Sequence, residues 1–261
     1  AISANSPFLF GKDLWDETRI PLFEQAVEAG GFNDAAFGPT KRVSFGSDYA
    51  RQSLMNIFQE NIDRYPVLLP TNYHDKVSQL KYVRLHNGTI WRWNRPLIGF
   101  DETTNQPHIR IEHRVIPAGP TIVDSIANAA FYYGLANYLT HLASPPEHEI
   151  PFSTAKDNFY NAAKSSLQAH VKWLDNYAGR MKCLLKEKLL SNAEQGLQQM
   201  EIAQQDIDYY LNIIKQRVNN EQHGANWQRN YLKKHNCSMQ QLTAAYAKQQ
   251  DTAEPVHTWP I

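Results

Sequence analysis

The sequence predicts an α+β fold, in which a partial antiparallel β-sheet is followed by a helical C-terminal layer. Polar and apolar residues alternate along residues 108–116, HIRIEHRVI, as they do in a strand with one buried face. Asn87 and Gly88 separate two further alternating runs, and this dipeptide favours the two-residue turn of a β-hairpin. From Thr121 onwards, apolar residues recur every three or four positions, which is the period of an α-helix.

The change of period divides the chain into parts. Residues 1–120 form the sheet-bearing part, residues 121–250 form the helical part, and residues 251–261 form a tail that docks through Trp259. The 261 residues, of which 42% are hydrophobic, are enough for one large domain or two small ones. We therefore expect the sheet and the helices to pack as two layers.

The charge balance argues against some classes of partner. Lys and Arg together number 26, as do Asp and Glu, so nothing favours nucleic acid or an anionic membrane. No apolar run is long enough to cross a bilayer and the N-terminus lacks the pattern of a secretory signal, so we expect a cytoplasmic protein. Cys183 and Cys237 lie outside any paired-cysteine motif, which argues against a zinc site or a disulfide framework.

Turn and cap signals predict the elements of the sheet-bearing part. Ser47 and Asp48 predict the start of a helix that ends near residue 62. The runs QLKYVRLH and TIWRWNR, on either side of the Asn-Gly dipeptide, predict the two strands of a hairpin. Residues 108–116 predict a third strand, in which Ile109 and Ile111 belong to the buried face.

Apolar spacing predicts three helices in the helical part. The first is a buried helix of about five turns, with an apolar stripe formed by Ile122, Ile126, Ala129, Tyr133, Ala136 and Leu139. A second helix from about residue 154 carries Phe159, Ala163, Val171 and Leu174. A third, from about residue 193 to 218, has an apolar seam formed by Leu197, Met200, Ile207, Leu211, Ile214 and Val218. Such a seam suits a helical hairpin or bundle, and it also suits pairing with a second copy as a homodimer.

The polar face of the third strand has two interpretations. Arg110, Glu112 and Arg114 are either ordinary ion partners on a solvated sheet or a site in which the carboxylate holds a divalent cation and the arginines hold anionic groups. The neighbouring hairpin favours the second interpretation, because it adds Arg84, Arg92 and Arg95. Trp91 and Trp93 beside them offer a flat surface for a base. No glycine-rich phosphate loop is present, so a nucleotide would be held by side chains on the sheet.

Three segments, taken together, resemble a known enzyme family. ANSPF followed by Gly11, Asp13 and Arg19, then NGTIWRWNRP, then IRIEHRVIPAGPT and a long helix resemble the glutamate-cysteine ligase family, in particular its carboxylate-amine ligase branch. The resemblance covers roughly residues 1–140. The Arg-Ile-Glu-x-Arg run also resembles the matching strand of glutamine synthetases, so a glutamine synthetase-like fold is implied.

The resemblance implies an ATP-dependent, ADP-forming ligase with Mg²⁺ as cofactor. In this family the γ-carboxylate of glutamate is phosphorylated, and an amine such as cysteine then displaces phosphate to form an amide, as in glutathione biosynthesis. By position, Glu112 resembles the metal ligand and Arg114 the arginine that stabilises the transferring phosphoryl group. The resemblance also implies that Arg95 and Arg19 bind anions and that Asn5 and Ser6 shape the site; Trp91 is the candidate surface for the base.

The sequence also departs from the family's pattern. Arg92 lies in the segment where many relatives have an acid, and Pro117 takes the place of an aspartate. The family's N-terminal half, with more strands and most of the metal-binding carboxylates, has no counterpart here. We therefore expect the chain to be the C-terminal portion of a larger ligase, or to act with a complementary chain. The alternative is a non-catalytic nucleotide- or anion-binding module, or a regulatory relative of the same fold.

Overall fold

The computed structural model describes residues 1–28, 33–34, 38–39 and 41–261. The chain forms two compact units. We call Ala1–Ile20 together with Ile116–Ile261 the helical unit, and Pro21–Val115 the hairpin unit. The first residues of the chain therefore belong with its C-terminal helices.

The described elements follow one another in this order. The first half of the chain contains β1 (Phe8–Leu9), β2 (Lys12–Asp13), α1 (Arg19–Ala26), β3 (Asn33–Asp34), β4 (Gly38–Pro39), β5 (Val43–Ser44), α2 (Met55–Arg64), α3 (Lys81–Gly88), β6 (Trp91–Arg92), β7 (Asn94–Phe100) and β8 (Pro107–His113). The second half contains α4 (Ile122–Thr140), α5 (Pro146–Glu149), α6 (Phe152–Ser165), β9 (His170–Trp173), β10 (Tyr177–Arg180), α7 (Met181–Leu184), a π-helical turn (Leu185–Leu189), α8 (Leu190–Gln199), α9 (Gln204–Asn220), α10 (Gly224–His235) and α11 (Met239–Gln250). Helices and short antiparallel hairpins thus confirm the α+β class.

The strand predicted over residues 108–116 is present as β8, which pairs with β7 in an antiparallel hairpin. Arg95 lies opposite Glu112 and Leu97 lies opposite Arg110, so these residues share one face. The other face carries Ile109 and Ile111, whose exposed fractions are 42% and 48%. The prediction that this apolar face is buried was therefore wrong for the described residues.

The first strand of the predicted Asn-Gly hairpin is instead the helix α3, Lys81–Gly88. Glycine after a polar residue also marks the end of a helix, and here Asn87 and Gly88 are its last residues. The buried side chain of Asn87 fixes that end, because its amide donates to the Pro96 carbonyl (2.9 Å) and its oxygen accepts from Asn61 (3.0 Å). Both partners are tertiary contacts that the local sequence does not reveal.

The helix predicted to start after Ser47 and Asp48 begins later, at Met55. Asp48 forms a surface ion pair with Arg51 instead of capping the helix. The hydroxyl of Ser53 accepts from the Met55 amide (3.2 Å), so serine still satisfies an amide at the helix start, from a different position.

The core of the helical unit forms where α4 packs against α8 and α9. Its fully buried side chains include Ala127, Leu184, Ala193, Ile214 and Val218. The predicted α4 is present, but the predicted buried face was wrong, since Ile122 and Tyr133 are 83% and 59% exposed. The inward face instead carries Asp124, Asn128 and Gly134, which are polar or lack a side chain.

The remaining helix predictions were right in part. The second predicted helix ends as α6 at Ser165, and Val171 lies in the hairpin strand β9. The third predicted helix is two helices, α8 and α9, and all of its seam except Met200 is buried.

Trp259 of the tail docks as predicted, with 3% exposure, against Trp227 at a ring separation of 5.1 Å. Within the described ranges, no helix is both long and apolar enough to span a membrane.

Two glycines allow the backbones of α4 and α8 to touch. A Cβ atom on Gly196 would overlap the carbonyl oxygen of Gly134, and one on Gly134 would overlap the carbonyl oxygen of Ala193. The side chain of Asn137 donates to the Gly196 carbonyl (3.0 Å), which ties the two helices at the same point. A methyl group at this crossing can be accepted only if the helices separate.

We predict that Gly196→Ala lowers the free energy of unfolding by about 1–3 kcal/mol, because the added methyl group overpacks the α4–α8 crossing and forces backbone shifts. Urea denaturation followed by circular dichroism measures the change. Gly88→Ala is the matched control, since a Cβ there meets no atom within 4 Å. An equal effect of the two substitutions would contradict close packing at the α4–α8 crossing.

Candidate functional site

Three short elements of the hairpin unit bring the predicted polar residues together. The strand β6 pairs in parallel with β5, which places Trp91 beside Val43. The following strand, β7, pairs with β8 so that Arg95 lies opposite Glu112. The Arg114 amide donates to the Trp93 carbonyl (2.9 Å), which continues this pairing beyond the end of β8.

Glu112 is held through only one of its two oxygens. Its Oε2 accepts from Nε of Arg95 (2.8 Å) and from Nε of Arg114 (2.5 Å), while Oε1 receives no hydrogen bond from the described residues. Partial burial by itself raises the pKa of this carboxyl, but the hydrogen bonds from Arg114 and Arg95 outweigh it and leave the pKa below its ordinary value. The carboxylate is therefore ionised at neutral pH, with one oxygen open to a ligand.

Arg95 is an anchor inside the hairpin unit. Its side chain is 7% exposed, and its Nη1 donates to the carbonyls of Asn87 and Ile90, both at 3.2 Å. Together with the bond to Glu112, these contacts tie the end of α3 to β8. The contacts fit a residue that positions Glu112, and anion binding by Arg95 stays a prediction.

Trp91 supports the two guanidinium groups. The Cζ atoms of Arg114 and Arg95 lie 3.9 and 5.2 Å from the centre of its ring, and the ring of Phe23 lies 4.7 Å away. Cations over an aromatic face are attracted by its quadrupole. A base stacked on Trp91 would have to replace one of these neighbours, and the predicted contact with a base stays untested.

A buried polar network that sequence patterns missed lies behind the cluster. Arg92, only 5% exposed, donates to Oδ1 of Asn61 (2.7 Å) and to Oε2 of Glu60 (2.8 Å). Asn61 in turn bonds to Asn87 (3.0 Å). Arg92 is thus neutralised within the protein, contrary to the expectation that it adds a cation to an open sheet face. The sequence signal for this network was Asn61, a polar residue on the otherwise apolar face of α2.

The other predicted site residues belong to the helical unit, where they surround Glu17. Its buried carboxylate accepts from the Asn5 amide (3.0 Å), the Ser6 hydroxyl (2.9 Å) and Nε of Arg19 (3.0 Å). The Asn5 side chain also donates to the Tyr246 hydroxyl (2.8 Å). Sequence analysis did not identify Glu17, because its relation to Ser6 is a bridge between separate turns.

The structure also brings Ser166 and His223 together, with 2.8 Å between Oγ and Nε2. Their exposed fractions are 0% and 1%, and burial lowers the pKa of His223 to about 3. The serine hydroxyl is further engaged by the Ala1 carbonyl (2.5 Å). A substrate cannot reach this pair, which therefore contributes to packing and not to nucleophilic catalysis.

A comparison of the sequence with models of protein families shows which family the chain belongs to. The sequence model of glutamate-cysteine ligase family 2 matches residues 1–253. The chain belongs to this family. The match extends over the helical unit, well past the segments that carried the resemblance, and it implies a ligase-type enzyme. No curated protein and no solved structure matches this family 2 member.

Magnesium binding by this family 2 member can be judged from the donor atoms. Among the described residues, no group of three or more His, Cys, Asp or Glu side chains could hold a metal ion. Glu112 Oε1 offers one ligand, which suffices for a single Mg²⁺ that takes its other ligands from phosphate and water. The described residues fit one such ion and do not fit two or three.

Proposed function

We propose that this chain is an ATP-dependent, ADP-forming carboxylate-amine ligase of the glutamate-cysteine ligase type. The observation that carries the proposal is the geometry of Glu112, with Oε2 held by two arginines and Oε1 open. The open carboxylate oxygen suits a divalent cation, and the arginines close to it suit the phosphate groups that bind the same cation. Family membership supports the same class of reaction.

The reaction has two steps. A γ-carboxylate oxygen of glutamate attacks the γ-phosphorus of ATP, a new O–P bond forms, and the bond from that phosphorus to the bridging oxygen breaks to release ADP. The amine nitrogen then attacks the acyl carbon of glutamyl phosphate, the C–O bond to phosphate breaks, and the nitrogen loses a proton. An amide and inorganic phosphate result. Cysteine is the proposed amine, which would place the product in glutathione biosynthesis.

Each residue of the cluster has a role in the proposal. The guanidinium of Arg114, with 31% of its side chain exposed, stabilises negative charge on the transferring phosphoryl oxygens. Arg95 holds Glu112 in place, and Mg²⁺ on Oε1 would neutralise phosphate charge when bound. In the helical unit, Arg19 is proposed to bind an anionic group, and the loop of Asn5 and Ser6 is proposed to help shape the surroundings of that group.

We further propose that strands from another segment or from a complementary chain complete the sheet. A two-stranded hairpin is only marginally stable by itself in water. The half-exposed face of Ile109 and Ile111 is what a covering layer would bury, while a third strand would pair with an edge of the β7–β8 hairpin. Such a segment would also supply the carboxylates that further Mg²⁺ ions need.

Hydroxylamine trapping tests the proposed chemistry. The intact gene product, with glutamate, Mg-ATP and hydroxylamine, is expected to form γ-glutamyl hydroxamate and ADP in equal amounts, because hydroxylamine captures an acyl phosphate. A panel of amines that includes cysteine then identifies the acceptor. Omission of glutamate is the control for unrelated ATP hydrolysis.

A second candidate function is a non-catalytic nucleotide-binding relative. Its support is that Glu112 is the one carboxylate of the cluster among the described residues, while the segment Trp91-Arg92-Trp93 lacks the acid that many relatives have there and Pro117 takes the place of an aspartate. If ATP raises the melting temperature of the protein while no hydroxamate and no ADP form, this candidate replaces the ligase.

A further inference from the structure

A cavity of the hairpin unit, separate from the Glu112 cluster, has three cations in its lining. It has a volume of about 460 Å³ and lies between α3 and the β7–β8 hairpin. Its charged lining residues are Lys81, Arg84 and Arg110, and no Asp or Glu is among the described residues that line it. Leu85 and Leu97 form part of its apolar wall.

The two guanidinium groups of this cavity lack anionic partners. Within the described part of the chain, the guanidinium group of neither Arg84 nor Arg110 forms a hydrogen bond or an ion pair. Arg84 lies over the ring of Phe100, with 5.5 Å from its Cζ atom to the ring centre. Lys81 is the exception among the cations, because its Nζ pairs with Asp75 (2.6 Å).

The pairing of β7 with β8 places Arg110 beside Gly99 on one face of the hairpin. Arg110 lies opposite Leu97, and His108 lies opposite Gly99 on the same face. A Cβ atom on Gly99 would come within 2.5 Å of His108 Nε2 and 2.8 Å of Arg110 Nη1, so both side chains lie across the glycine. The absence of a side chain at residue 99 therefore makes room for the guanidinium.

Cations gathered around one cavity repel one another, and a bound anion would remove this cost. Arginine presents a planar fork of donors that matches phosphate and carboxylate oxygens. We propose that this cavity binds a small doubly charged anion, a phosphate or a dicarboxylate, whose charged oxygens contact Arg84 and Arg110. The carbon chain of a dicarboxylate would lie against Leu85 and Leu97. Glu112, Arg95 and Arg114 do not line it. The proposal therefore stands whether or not the chain is a ligase.

Direct titration tests this site. Inorganic phosphate and glutarate are titrated separately into the full chain at constant ionic strength, with acetate as the singly charged reference. Saturable binding of either probe is expected, and the probe that binds distinguishes a phosphate from a dicarboxylate source. Arg84→Gln and Arg110→Gln are each expected to raise Kd at least tenfold. Arg180→Gln, at an exposed strand arginine of the helical unit, is the matched control and should leave Kd unchanged.

Gly99→Ala separates geometry from charge. It leaves net charge unaltered but adds a methyl group 2.5 Å from His108 Nε2 and 2.8 Å from Arg110 Nη1, so the ends of these side chains must move aside and we expect Kd to rise less than in the two Gln variants. Far-ultraviolet circular dichroism of each variant establishes that the fold is retained. The proposal is overturned if neither probe binds saturably, if the two Gln variants bind as tightly as the unchanged protein, or if Arg180→Gln weakens binding equally.

Discussion

Asp124→Ala is expected to lower the free energy of unfolding by about 3–5 kcal/mol, because it leaves a buried arginine without its counter-ion. Asp124 Oδ1 accepts from Arg217 Nη2 (2.7 Å), and the two side chains are 0% and 1% exposed. Oδ2 accepts from the hydroxyl of Thr121 (2.9 Å) and the amide of Val256 (3.0 Å). One carboxylate thus ties the start of α4, the helix α9 and the C-terminal tail together.

The electrostatics of Arg217 explain the size of this effect. Burial lowers the pKa of Arg217, and Asp124 opposes that shift by stabilising the charged form. Arg217 Nη1 also donates to Asn128 Oδ1 (2.6 Å) and to the Ile2 carbonyl (2.9 Å), so the cation cannot turn towards solvent without breaking these bonds. Without Asp124, an uncompensated charge stays in the core.

Urea denaturation of three variants measures the prediction. Asp124→Ala should be far less stable than the unchanged protein, and the double variant Asp124→Ala with Arg217→Met should recover part of the loss, because the buried charge is then gone as well. Asp48→Ala removes the exposed pair with Arg51 and should change stability little. A loss of less than 1 kcal/mol in Asp124→Ala would mean that water reaches Arg217.

The period of the sequence predicts the type of an element better than it predicts the face that is buried. The strand β8 was found because seven successive residues alternate on one hairpin. The face of α4 was assigned wrongly because its inward positions hold Asp124 and Gly134. Asp124 faces inward because it pairs with Arg217, and Gly134 faces inward because α8 packs closely against it at Gly196. Both partners lie far along the chain, so the local sequence gives no signal of these contacts.

The same distinction holds for the candidate site. Glu112 and Arg114 were identified because they are two positions apart on one strand face, and Arg95 was identified by its place before a proline in a family motif. Asn61 and Glu60 were missed, since their role is to bond to Arg92 across the hairpin unit. Local pattern therefore identified the charges, while tertiary contacts decide which of them are already neutralised.

In an active preparation, Arg114→Ala is expected to lower kcat about 10²–10³-fold, the usual cost of removing one group that stabilises transition-state charge. The residue has two contacts that make the loss large: Nε donates to Glu112 (2.5 Å), and Cζ lies 3.9 Å from the centre of the Trp91 ring. Without Arg114, Glu112 keeps only Arg95 of these two donors. If the chain is the proposed ligase, the phosphoryl oxygens would also lose the cation that lies against Trp91.

Arg114→Lys separates charge from geometry. Lysine keeps the positive charge but cannot reproduce the planar fork, so its kcat should lie between those of the unchanged protein and Arg114→Ala. Rates of γ-glutamyl hydroxamate formation measure all three, and melting temperatures show whether each variant is folded. Arg51→Ala, which alters an exposed pair in the same unit, should retain the full rate. If Arg114→Ala retains it too, the arginine only orders the hairpin, and the phosphoryl group must be stabilised elsewhere.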